Sequence, residues 1–95
     1  MKASYIAIAE QAPGTNTWWI SFPSFPGVTS AANSAAEIMA QAQDALATVI
    51  EDMQRDGEEL PGSIEGGVIP DYDLDIYQKP LVVLVPYTEP VTAPA

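Results

Sequence analysis

The stretch FPSFPG, from Phe22 to Gly27, limits most tightly what this chain can fold into. Pro23 and Pro26 have no amide to give to a sheet ladder. Pro26-Gly27 suits the central positions of a type II turn, where proline presets φ and glycine accepts a positive value. A strand arriving at Phe22 must therefore leave the sheet and reverse. The residues before it read as such a strand: Thr17 to Phe22 is aromatic and β-branched, with Trp18, Ile20 and Phe22 on one side and Thr17, Trp19 and Ser21 on the other. Upstream, Ala3 to Glu10 also alternates, Ser4, Ile6 and Ile8 opposing Tyr5, Ala7 and Ala9. Pro13, Gly14 and Asn16 between the two predict a hairpin. A short third strand, Val28 to Ala31, follows the Pro26-Gly27 turn.

Ser34 with Glu37 three residues later has the form of a capping box, which predicts a helix beginning at Ser34. Ile38, Met39, Ala42, Ala45, Leu46, Val49, Ile50 and Met53 recur at intervals of three and four and form one apolar stripe. Glu37, Asp44 and Glu51 recur every seven residues on the opposite side. Gly57 sits where a left-handed residue would end the helix. Glu58 to Pro80, with Pro61, Gly62, Gly66, Gly67 and Pro70, reads as a long connection holding a turn or short strand near Tyr72 to Tyr77. Leu81 to Tyr87 is continuously apolar and predicts a fourth strand whose two faces both need cover. Residues 88–95 read as a flexible tail, so the expectation is one domain over 1–87 with no C-terminal DNA-binding domain.

The whole is expected to be α+β: an antiparallel three-stranded start, one long helix, and a late fourth strand. With 95 residues, 47% hydrophobic and 17% charged, the chain makes a single small domain with apolar surface to spare, so association is expected. Its net charge of −10 repels phosphate backbones and attracts basic proteins, which argues against direct nucleic-acid binding. Without Cys or His, thiolate nucleophiles, the usual zinc sites and the commonest neutral-pH base are all missing. Asp71, Asp73 and Asp75 align by alternation like the start of a calcium loop, but Val82 stands where the closing glutamate belongs, so they read as a solvated acidic loop. Glu10 is the one carboxylate on the first two strands, too few for two-metal hydrolysis. Gly66-Gly67 lacks the lysine and helix of a phosphate loop. No catalytic residue, metal or cofactor is expected. No membrane segment or signal peptide is expected either, and a cytoplasmic protein is the default reading.

The blocks YIAIAE, WWISFPSFPGVTS, NSAAEIMAQAQDALATVIEDMQRDGEELP and LVVLVP, in that order, resemble the N-terminal domain of HicB-type antitoxins. That family's pattern ends its second strand in F-P-D-x-P-G; here Ser24 replaces the usual aspartate, Val28 stands where cysteine is common, and Ala32-Asn33-Ser34 replaces Gly-Asp-Thr. The resemblance implies a partial RNase H-like sheet of order 3-2-1-4 with its fourth strand parallel to the first. It also implies a binding module, not an enzyme: an antitoxin that sequesters a small basic HicA-type ribonuclease toxin by covering its active surface. The alternative is a stand-alone oligomerising or scaffold domain of the same fold.

Two surfaces follow as expectations. Glu37, Asp44, Glu51, Asp52, Glu58 and Glu59 are candidates for meeting the basic toxin. Tyr5 and Trp19, with Leu81, Val83 and Val85, are expected on an open sheet face where two copies meet. Pro23, Pro26, Gly27, Ser34 and Gly57 are assigned as turn and cap residues.

Overall fold

A computed structural model describes residues 2–64, 76 and 79–89. Strands β1 (Lys2–Gln11), β2 (Trp18–Ser21) and β3 (Thr29–Ala32) precede helix α1 (Ile38–Arg55), which is entered through one 3₁₀ turn at Ala35–Glu37, and β4 (Leu81–Thr88) closes the order. The sheet runs β3-β2-β1-β4, the predicted order, with every neighbouring pair antiparallel. The predicted Tyr72 to Tyr77 turn or strand apart from Ile76, Gly66-Gly67, the Asp71 to Asp75 loop and most of the tail fall outside the described residues.

The helix covers one face of the sheet. Tyr5, Ala7 and Ala9 lie on that face beside Ile20, Phe22, Val85 and Tyr87, and Ile38, Ala42, Leu46 and Ile50 come down onto them from α1. The stripe predicted from periodicity is the buried one, its margins formed by half-buried Met39, Ala45, Val49 and Met53. Small side chains set the approach: Ala7, Ala9 and Ala42 are fully buried, which lets the helix backbone come close to the central strand.

Two successive turns end β2. The Phe25 amide donates to the Phe22 carbonyl at 3.0 Å, and the Val28 amide to the Phe25 carbonyl at 3.1 Å. Pro23 and Pro26 occupy the second position of each turn, and Gly27 has φ 87° as the type II form demands. The double reversal swings Phe25, a turn residue by sequence, into the core. There its ring meets Tyr5 edge-on at 4.9 Å and 66°, and Phe22 at 6.4 Å and 77°.

The fourth strand runs antiparallel to β1, from Ala9 beside Leu81 to Lys2 beside Thr88, and not parallel to it as expected. The reason lies in the connection. After α1 the chain reaches the start of β1, where the Ile64 amide donates to the Ser4 carbonyl at 2.8 Å and Ser63 Oγ accepts from the Ser4 amide at 2.8 Å. Lys79 stands at the other end of β1, lining a depression beside Gln11 to Asn16. With Ile64 at the start of β1 and Lys79 at its other end, β4 starts beside Ala9 and runs back toward Lys2, which reverses its direction relative to β1. A direct crossover from helix to strand would have given the parallel arrangement.

The helix start also differs from the capping-box reading. Ser34 occupies the N-cap position without a side-chain cap bond, and Glu37 reaches back to the Asn33 amide at 3.1 Å, one residue earlier than the motif requires. The helix end is as predicted. Gly57 has φ 72°, its amide donates to the Gln54 carbonyl, and the Glu58 amide donates to the Met53 carbonyl, which together make a Schellman cap.

Three stability outcomes follow. Gly57→Ala should cost about 1 kcal/mol in urea unfolding, through backbone conformation alone since a Cβ there meets nothing within 4 Å, and Gly57→Asn should cost less. Ser34→Ala should cost no more than a few tenths of a kcal/mol, whereas Glu37→Ala should cost about 0.5–1 kcal/mol by releasing the Asn33 amide. Tyr5 Oη donates to the Pro61 carbonyl at 2.7 Å, while Tyr87 Oη is buried with no partner among the described residues. Tyr5→Phe should therefore cost about 1 kcal/mol and Tyr87→Phe nothing, or it should stabilise. Burial raises both phenols above 10.0, so neither alters stability with pH below that value, and the fold loses stability as pH climbs from 10.0 through the folded values because ionisation is harder in the native state; Tyr87→Phe should reduce the loss of Tm above pH 10.

Candidate functional site

Acidic residues gather around α1. Glu37, Asp44, Glu51 and Asp52 are all exposed on its outer side, and Glu58 and Glu59 extend the charge past the Gly57 cap. Glu37 stands apart at the start of the helix, where it is committed to the Asn33 amide. The denser group lies at the other end: Glu51, Asp52, Asp56, Glu58 and Glu59 surround the C-terminus of α1. Carboxylates there oppose the helix dipole, whose negative pole is at that end. Arg55 is the one base in the last turn, and it is already paired with Asp52 at 2.7 Å and near Asp56 at 4.0 Å. Tyr87 lies under this end of the helix; burial first, then the charges of Glu51 and Glu89, raise its phenol.

The sheet-face expectation fails in one respect. Ala9 pairs with Ile20 and Glu10 with Trp19, so odd residues of β1 share a face with even residues of β2. Tyr5, paired with Val85, and Val83, paired with Ala7, therefore lie under the helix, and Leu81, paired with Ala9, is on that side too. Tyr5 and Val85 are buried and cannot form an open interface, although Leu81 remains 46% exposed at the strand end. Trp19 is on the opposite face, apart from all four, and is 59% exposed.

That second face is carried by Ile6 and Ile8, which are buried, and by Val82 and Leu84, which pair with them and are half-buried. A shallow groove of about 270 Å³ runs across it, lined by Ile8, Glu10, Trp19, Ser21 and Thr29 among others. The larger depression, about 740 Å³ beside the Gln11 to Asn16 hairpin, has Lys79 as the one charged lining residue among the described residues. Neither assembles a nucleophile, a base or a metal site, and among the described residues no three carboxylates come together in a way that could hold a cation. Glu10 stands opposite Trp19 with no second carboxylate beside it. Among the described residues no helix is long and apolar enough to cross a membrane.

The described residues thus present an acidic helix beside a sheet edge without charge on β3, and similarity to known proteins gives the family. The solved HicA3 and HicB3 toxin-antitoxin complex contains a chain that superposes with a TM-score of 0.63 over 86% of this chain and 94% of that one, at 24% identity, which establishes the shared fold. No curated protein matches significantly. The family model for the HicB_like antitoxin of bacterial toxin-antitoxin system matches residues 5–80, from the middle of β1 to the threshold of β4, and the chain belongs to that family.

Proposed function

We propose that this protein is an antitoxin that binds a small basic HicA-type ribonuclease through the acidic side of α1 and holds its active surface away from RNA. One observation carries the choice of surface. Exposed carboxylates crowd the C-terminal end of α1, where the helix dipole disfavours them and Arg55 answers only part of the charge. They contribute nothing to the core, so their return must come from outside the fold. A basic partner supplies it, through steered encounter and paired charges at contact. The HicA3 and HicB3 complex, with a chain of this fold, lends the partner its class. The role requires no chemistry from the antitoxin itself: steric cover and charge complementarity suffice.

Co-expression with a small basic HicA-type ribonuclease encoded in a neighbouring reading frame is the test: it should yield a stable complex that no longer cleaves RNA, and failure to bind would overturn the reading. Combined neutralisation, Glu51→Gln, Asp52→Asn, Glu58→Gln and Glu59→Gln, should slow association about tenfold and flatten its salt dependence, since rim charges act mainly on the on-rate. Association unchanged by this variant would move the toxin to another surface.

A further inference from the structure

The charge on this chain is segregated. From Gln11 to Ala36 there is no charged residue, although the whole carries −10. That neutral span makes the hairpin, β2, the double turn and β3, so the β3 strand itself carries no charge. Among the described residues Glu37, held by the Asn33 amide just past its end, and Glu10, opposite Trp19, are the carboxylates near it, while the denser group lies at the other end of the helix.

Among the described residues this neutral strand is also an open edge. The bond from the Ala12 amide to the Thr17 carbonyl fixes the alternation of the β1–β2 ladder, and through it that of β2–β3. Ser30 and Ala32 direct their amides and carbonyls to β2; Thr29 and Ala31 direct theirs outward. Both outward residues are exposed. Neither Pro nor charge stands on this edge, two of the usual means by which edge strands avoid pairing, and its shortness, four residues, limits the pairing to one small ladder. The other edge is guarded. Ser4 gives its amide and carbonyl to Ser63 and Ile64, so its neighbour Pro86 sits at a position whose nitrogen faces away from β1, and the outer side of β4 lacks a donor there.

We infer that a second copy of this chain occupies the outer edge of β3, pairing β3 with β3 in antiparallel fashion about a two-fold axis. The register that uses both outward residues sets Thr29 against the partner subunit's Ala31 and Ala31 against the partner subunit's Thr29, with Ser30 on the axis. Four backbone hydrogen bonds result, and the sheet continues through both molecules. Trp19 lies beside Ala31, on the face away from the helix. Across three strand spacings, about 14 Å, the two indoles lean toward each other over the small side chains of Thr29 and Ala31. A second copy fits better than a basic protein because no carboxylate on this edge would attract one, and because two strongly acidic bodies can approach closely only where neither bears charge. This inference does not depend on the toxin reading.

Sedimentation of the full chain should show monomer near 1 μM passing to dimer near 100 μM, the weak range of an interface under about 1,200 Å². Ala31→Pro removes an outward amide and no ladder bond, and should leave the chain folded and monomeric. Should that variant lose its far-UV spectrum, Ala31→Asp tests the same edge by charge. In amide exchange, Thr29 and Ala31 should become protected as concentration rises, while Ser30 and Ala32 are protected throughout. A monomer at 100 μM, a dimer that survives in both variants, or dimerisation without protection of Thr29 and Ala31 would overturn the inference.

Discussion

The contact on which most of this fold depends is the edge-on meeting of Tyr5 and Phe25. Tyr5 stands on the central strand; Phe25 arrives there only because two turns follow each other without a break between Phe22 and Val28. Beyond the ring, the Tyr5 hydroxyl takes the Pro61 carbonyl, so the same side chain gathers β1, the double turn and the segment after the helix. Edge-to-face ring pairs contribute about 0.5–1.5 kcal/mol beyond the area they bury. Their larger effect here is geometric, because three distant stretches of a small chain are fixed by one residue that cannot shift without disturbing all of them.

Much of this was legible in the sequence. A period of two marked the strands, a period near 3.6 picked out Ile38, Ala42, Leu46 and Ile50 as the buried stripe, and Pro26-Gly27 and Gly57 took the conformations their chemistry favours. Phe25 was not legible, since spacing of three from Phe22 signals core only if two consecutive turns are already known. The sheet faces were not legible either. Weight of apolar side chains points to Ile6 and Ile8 as the helix face, yet the helix chose Ala7 and Ala9, where it could come closest. Parity between β1 and β2 is set by the hairpin, and a shift of one residue exchanges every side chain between faces. Tyr5 and Trp19 were parted by that shift. The direction of β4 depends on how a long connection travels, which local pattern does not encode.

The acidic candidate surface was half legible. Seven-residue spacing placed Glu37, Asp44 and Glu51 on one side of the helix, and all three are exposed. What spacing could not reveal is that Glu37 is spent on the Asn33 amide while the densest charge collects past the last turn. A Schellman cap turns the chain back at Gly57 and so returns Glu58 and Glu59 to the neighbourhood of Glu51 and Asp52. The cap residue, chosen for backbone conformation, thereby concentrates the charge that the proposed partner would meet.

Pairing through β3 has a consequence for that charge. An antiparallel two-fold across a sheet edge has its axis normal to the sheet, so both helices lie on the same side and both exposed indoles on the other. The two α1 helices then run in opposite directions on one side of the sheet, so their acidic ends stand apart on that side as two equivalent docking surfaces of such an assembly. Repulsion between them is held down because the neutral β2 and β3 strands stand between the charged regions, and exposed charges farther apart than about 8 Å are largely screened at physiological salt. A partner that is itself paired, or tethered in two copies, would meet such a surface with the second contact made at high effective concentration. Segregating the charge therefore does two things with one sequence: it keeps an edge able to accept a second copy, and it leaves the acidic face of each copy open after that edge has been filled.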